Sequence, residues 1–185
     1  MLQKSSDKWK SKIWYNLYSP KIFGEQVISE IPGGENNVVG RVIRLSLSWL
    51  TQKPEHSPMV IGLKVDEVSG NAAKTKVKFI GSIFSYLHSF VRRNTTPIYT
   101  RDVSKDKEGS QFVLKLLIVA NGKLAESKRK DIRKKISGYI EEVSKAKTKE
   151  EIIKDLIEGN FQRGGIEKIK NIAKISRLEL KMMEL

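Results

Sequence analysis

Hydrophobic and polar positions change rhythm several times along this chain of 185 residues. Residues 4–24 mix bases with Trp9, Trp14, Tyr15, Tyr18 and Phe23 and hold no sustained period before about Ile13, so they are expected to form an extended arm. The turn-rich stretch Ile31-Pro32-Gly33-Gly34-Glu35-Asn36-Asn37 leads into residues 39–49. There Val39, Arg41, Ile43, Leu45, Leu47 and Trp49 alternate with Val42, Arg44, Ser46 and Ser48 at the two-residue period of a half-buried strand. After a loop with Pro54 and Pro58, Ile61, Leu63, Val65 and Val68 mark a strand that turns at Ser69-Gly70-Asn71 into another. The pattern predicts a hairpin whose Thr75, Val77 and Phe79 face away from Lys74, Lys76 and Lys78.

Between Ser82 and Arg93 the period lengthens, with Ile83, Leu87 and Phe90/Val91 on one helical face. Ser82 can cap the start of this helix, and Arg92 and Arg93 fall where the helix dipole favours cations. Pro97 blocks continuation, and residues 98–103 and 111–120 read as two strands joined by a charged loop. The second is apolar on both faces and is therefore expected at the centre of a sheet. A helix is predicted from near Ser127, with Ile132, Ile136, Tyr139/Ile140 and Val143 on one face. Thr148 and Glu151 have the spacing of a capping box for a second helix closed by Gly159. Ile166, Ile169, Ile172 and Ala173 predict a third helix after Gly164-Gly165, and Leu178, Leu180 and Met182 a closing strand. The expectation is an α+β fold: a basic aromatic arm over residues 1–24, a β-rich core domain with one short helix over 25–121, and C-terminal helices with a closing strand over 122–185.

Charge sharpens this picture, since 35 Lys+Arg against 21 Asp+Glu give a net +14 and a pI near 9.9. Such an excess repels itself until a polyanion neutralises it, which makes nucleic acid the first candidate partner and most enzymes poor ones. No cysteine is present, so disulfides, thiolate nucleophiles and Cys-ligated metals are excluded and a reducing compartment is expected. The start lacks the apolar stretch of a signal peptide, and the longest apolar run, residues 116–120, is far below a membrane span, so a soluble protein is expected. Of the two histidines, His56 lies in a proline-bounded loop and His88 on the polar side of the short helix, both expected as ordinary surface residues. The pairs Asp66-Glu67, Glu141-Glu142 and Glu150-Glu151 are weak magnesium candidates: adjacent strand residues point to opposite faces, and the helical pairs look solvated.

The densest charge is Lys128-Arg129-Lys130-Asp131-Ile132-Arg133-Lys134-Lys135, whose bases cover every azimuth of a helix except the Ile132/Ile136 stripe. Asp131 is read as its sole compensating acid before Glu141, so the run points to phosphates rather than to internal pairing. Lys74, Lys76 and Lys78 form a comb along one strand, and Arg92-Arg93 precede the hydrogen-bonding Asn94-Thr95-Thr96. Aromatic residues among the arm's lysines are candidates to stack on unpaired bases or to pin the arm to the core. The RNA-binding set is thus Lys8, Lys10, Lys12, Trp14, Tyr15, Arg41, Lys74, Lys76, Lys78, Arg92, Arg93, Lys128, Arg129, Lys130, Arg133, Lys134 and Lys135.

At these residues the chain resembles the S3Ae (eS1) family of small-subunit ribosomal proteins of archaea and eukaryotes. The likeness runs through Lys12-Ile13-Trp14-Tyr15 with Pro20 and Phe23-Gly24, Gly40-Arg41-Val42, Ser46-Leu47 and Leu50, then Leu63-Lys64-Val65-Asp66-Glu67-Val68 with Gly70, and Ile132-Arg133-Lys134-Lys135. A departure lies at Ile175-Ser176-Arg177-Leu178, where the family often has a proline-containing turn. The compact length without a long C-terminal tail resembles the archaeal form. The resemblance implies a β-rich, barrel-like central domain and a cytoplasmic structural protein on the platform of the small subunit. It further implies contact with small-subunit ribosomal RNA and neighbouring platform proteins, and messenger RNA nearby. No catalysis, cofactor, metal, membrane or small-molecule substrate is expected. Two other classes stand against this reading: a metal-dependent RNA-processing nuclease using Asp66, Glu67 or Asp102, and a free nucleic-acid-binding protein.

Overall fold

The computed structural model describes residues 12–185. Eight strands form one sheet with a central path in the order β2-β1-β5-β8-β7-β6. β1 (Ile13–Tyr18) and β2 (Val27–Gly33) pair antiparallel, and β1 also runs parallel to the start of β5 (Ala72–Ser82). β3 (Val42–Ser46) and β4 (Met59–Ser69) extend the sheet from the other edge of β5. β6 (Thr95–Lys105) and β7 (Gln111–Asn121) form a long hairpin, and β8 (Ile175–Glu184) bridges β7 to β5. The mixed α+β class agrees with the sequence, but the expected barrel-like closure does not occur: β2, β3 and β6 are each paired on one side only, and the sheet stays open.

The hairpin of β4 and β5 turns where predicted, with Lys74, Lys76 and Lys78 exposed while Ala73 and Thr75 are buried. β7 lies between β6 and β8 and is buried on both faces from Leu116 to Ala120, as its unbroken apolar run required. Pro97 is accommodated in β6 because that strand is at an edge, where a missing N–H need not break a ladder.

Several local expectations are corrected. The turn-rich segment before β3 contains a short helix, α1 (Glu35–Val38). Strand alternation ends at Ser46, and α2 (Leu47–Thr51) follows, because Leu47 and Leu50 bury together only at helical spacing; Trp49 is left 68% exposed. Ser82 belongs to β5 and caps nothing; α3 (Phe84–Ser89) begins after Ile83 and stops short of Arg92. Gly164-Gly165 lie inside the third C-terminal helix rather than ahead of it.

That helical layer comprises α4 (Glu126–Ala146), α5 (Lys149–Glu158) and α6 (Asn160–Ile169). The Thr148/Glu151 capping box starts α5, and Gly159, at φ 79°, ends it in the left-handed region that favours glycine. Gly164 lets α6 approach α4: a Cβ there would meet Tyr139 Oη at 2.4 Å. Ile132, Ile136 and Ile140 of α4, Ile152 and Leu156 of α5, and Phe161 and Ile169 of α6 cover Ile98, Leu114, Leu116, Ile118, Leu178 and Leu180 of the sheet. This main core spans the expected boundary at residue 121, and it turns the opposite flank of α4 outward.

Candidate nucleic-acid interface

The basic run occupies the first half of α4, where the isoleucine stripe faces the sheet and Lys128, Lys130, Arg133, Lys134 and Lys135 are exposed. Asp131 is not its only compensating acid. Glu126, at the start of the helix, accepts from Arg129 at 3.3 Å and from Arg133 at 3.0 Å. The Arg133 hydrogen bond leads the causes that hold the Glu126 carboxyl below its usual range. Arg129 also donates from Nε to the Leu124 carbonyl at 3.2 Å, so this half-buried arginine is part of the helix start. The uncommitted positive charge therefore concentrates on the four lysines.

Main-chain bonds bring a second predicted group to the same end of the molecule. Gly122 N–H donates to the Asn94 carbonyl at 2.7 Å, and Thr96 Oγ1 donates to the Gly122 carbonyl at 2.7 Å while accepting from Leu124 N–H at 3.2 Å. The turn carrying Arg92 and Arg93 thus abuts the linker into α4. Asn94 takes φ 62°, and Thr95 Oγ1 closes the turn on Arg92, leaving both arginines exposed. Asn121 N–H donates to the Lys174 carbonyl at 2.9 Å, which adds the segment before β8. Exposed Lys123 and Lys174 join the cluster. Sequence reading missed both: a lone lysine after Asn121-Gly122 carries no signal, and Lys174 becomes a neighbour only through strand pairing.

The lysine comb is a separate surface. β8 runs from Ile175 beside Ala120 to Met182 beside Gly81, about 23 Å of strand at ~3.3 Å per residue, before it meets β5. On the comb, Lys76 pairs with Asp66 at 2.7 Å, and that hydrogen bond raises the Lys76 pKa, while Lys74 and Lys78 remain exposed.

Of the arm, Lys8 and Lys10 lie outside the described residues, and Lys12 is half-buried. Trp14 is 56% exposed on β1, but the expectation that Tyr15 stacks on RNA is corrected. β1 is an internal strand, alternation turns Tyr15 inward, and the ring is 1% exposed among Leu17, Val38, Val65 and Ala73. Arg41 is exposed but directs Nη1 to the Pro32 carbonyl at 2.8 Å, tying down the loop before β3.

The acidic candidates are engaged elsewhere or dispersed. Asp102 accepts from Ser137, and among the described residues no three His, Cys, Asp or Glu come together as a metal centre would need. His56 Nδ1 lies 2.8 Å from Thr51 Oγ1, and His88 is exposed with its ring 4.8 Å from that of Phe84.

Among the described residues, an α+β frame thus gathers exposed cations from α4, the linker before it and the Arg92-Arg93 turn at one end. The chain belongs to the Ribosomal S3Ae family, whose model matches residues 2–185. Its role is structural, in the ribosome, and it is not an enzyme. Its relatives include archaeal proteins. The chain is 30% identical over 183 residues to the small ribosomal subunit protein eS1 of Picrophilus torridus, covering 97% of this chain and 87% of the relative. It is 28% identical to that of Methanococcus vannielii, with 95% and 80% covered, and 27% identical to that of Thermoplasma acidophilum, with 99% and 86% covered.

Proposed function

We propose that this chain is a cytoplasmic structural constituent of the small ribosomal subunit that binds ribosomal RNA on the platform, near the messenger exit and the 3′ end of the small-subunit RNA. The observation that carries this reading is the meeting of the Arg92-Arg93 turn, the linker with Lys123 and the basic half of α4 at one end of the fold. Cations presented from a rigid helix and two fixed loops suit the phosphates of folded RNA, where backbone shape dictates the fit. Residues 12–121, with β1 inside the sheet, act as the scaffold, and residues 122–185 supply the cationic helix. Exposed Trp49 and Phe84 are surfaces for neighbouring platform proteins, and messenger RNA passes close by.

The test is binding of the purified chain to a small-subunit RNA fragment spanning the platform, against random RNA and duplex DNA. Between about 50 and 200 mM salt, several phosphate contacts cost about 10³–10⁵ in affinity. Preference for the platform fragment that survives at the higher salt is the expected result. Equal binding to all three removes the platform assignment and favours a free nucleic-acid-binding protein.

A further inference from the structure

The face of β6, β7 and β8 turned away from α4, α5 and α6 takes no part in the interface described above. Strand register places Tyr99, Leu117 and Glu179 in one cross-strand row, Arg101, Lys115 and Met182 in the next, and Val103, Val113 and Glu184 in the one after. α3 lies over part of this face, where Leu87, Tyr86 and Phe90 pack on Leu117 and Val119. Beyond that cover, Tyr99 and Val103 are 49% and 50% exposed.

Cations frame the uncovered area. Lys181 Nζ lies 5.0 Å from the Tyr99 ring centroid, and Arg101 and Lys105 follow Tyr99 on the same face of β6, both exposed. Of the two carboxylates on these rows, Glu184 is held by Lys115 at 2.5 Å, and Glu179 is half-buried, with Arg177 as the cation acting on it. The surface therefore presents an aromatic ring and unneutralised cations. That combination is complementary to a base and its phosphates rather than to an apolar or basic protein surface. Arg101 and Lys105 are four residues apart on β6, about 13 Å at ~3.3 Å per residue and so roughly two steps of an extended nucleotide chain, and an aromatic ring accepts any base by its π-face.

We propose that the outer face of β6, β7 and β8 binds single-stranded RNA, with an unpaired base stacked on Tyr99 and the flanking phosphates along Arg101, Lys105 and Lys181. The proposal rests on the RNA-binding reading only in taking RNA as the polyanion, and its surface is distinct from α4, so the two fail separately.

The experiment uses the full chain and a labelled oligouridine of about eight nucleotides, read by fluorescence anisotropy and by mapping ultraviolet crosslinks. The expected result is binding with a crosslink at Tyr99. Tyr99→Ala lowers affinity about 5- to 150-fold, as loss of one stacked base requires, and Tyr99→Phe keeps nearly all of it. The triple variant Arg133→Ala, Lys134→Ala, Lys135→Ala keeps its affinity for the oligomer while losing affinity for the platform fragment. Wild-type affinity in Tyr99→Ala, crosslinks confined to Trp14 or Phe84, or no binding of the oligomer by the wild type would each overturn the proposal and leave this face to a protein neighbour. A circular dichroism melt of Tyr99→Ala separates loss of binding from loss of fold, and Tyr99→Phe tests the ring with the packing kept.

Discussion

Ser137 of α4 donates a 2.7 Å hydrogen bond to Oδ1 of Asp102 on β6. The bond fixes the rotation of the helix beside its isoleucine stripe, and so decides which lysines face outward. The other oxygen of Asp102 is buried without a partner, so the serine hydroxyl is the principal compensation for that carboxylate. Ser137→Ala is expected to cost about 1–3 kcal/mol in urea unfolding, as loss of a bond to a buried charged acceptor does. Asp102→Asn, which keeps an acceptor and removes the charge, should cost less. Equal losses would show that the charge is not what Ser137 compensates.

Glu126 predicts an unequal partition of binding among the cations of α4. It already holds Arg129 and Arg133, whereas Lys134 and Lys135 are exposed and form no ion pair shorter than 4 Å among the described residues. Replacing Lys134 and Lys135 together by Ala should lower affinity for the platform RNA fragment and flatten its logarithmic salt slope by about 1.4–1.8. Stability should hardly change, because exposed charges contribute little to it. Adding Arg133→Ala should flatten the slope further by less than either lysine does. Glu126→Gln frees two guanidinium groups and should tighten binding and steepen the slope; unchanged binding in both variants would take this helix off the binding face.

Glu179 gives a pH dependence opposite in sign to that of the other shifted glutamates. Desolvation on β8 raises its pKa above the ordinary 4.5, against the smaller pull of Arg177. A folded-state pKa above the unfolded value means that the proton is bound more tightly in the native state. The contribution is full below 4.5 and is lost as pH rises through the raised value. Glu179→Gln should therefore raise the unfolding midpoint at neutral pH and leave it nearly unchanged in acid. For Glu151, whose pKa is lowered chiefly by the Thr148 backbone N–H, the favourable contribution is present above 4.5 and is lost as pH falls through its depressed value. Glu151→Gln should accordingly lower the midpoint at neutral pH and not in acid. Thermal melts of both variants across this range check the two signs.

Features encoded by local period were legible in the chain: the facing of Lys74, Lys76 and Lys78 on β5, the double-sided burial of β7, the isoleucine stripe of α4 and the capping box at Thr148. What sequence reading missed depends on partners distant along the chain. Leu47 fits either a strand or a helix by spacing alone, and it becomes helical because Leu50 buries beside it. Gly164-Gly165 resembles a helix boundary until Tyr139 and Leu178 are seen filling the space that side chains would need. Nothing local places β8 between β5 and β7, and that placement creates both the Lys174 contact and the outer face around Tyr99. Glu126 was overlooked because it lies two residues ahead of the charge run, although one helical turn brings it to Arg129 and two bring it to Arg133.

Trp14 and Tyr15 are adjacent on β1 and face opposite ways, so they separate binding from folding. Tyr15→Ala empties a core position among Leu17, Val38 and Val65 and should cost about 3–5 kcal/mol, reducing RNA binding only as far as the chain unfolds. Tyr15→Phe should cost little, because the buried hydroxyl has no hydrogen-bond partner among the described residues and its removal leaves no group newly unpaired. Trp14→Ala removes an exposed ring and should leave the urea midpoint near wild type while weakening binding of the platform fragment. Urea unfolding and anisotropy titration on the three variants, at a temperature where all are folded, decide the matter. Loss of stability in Trp14→Ala with unchanged binding would make Trp14 a packing residue and return the arm's contribution to its lysines.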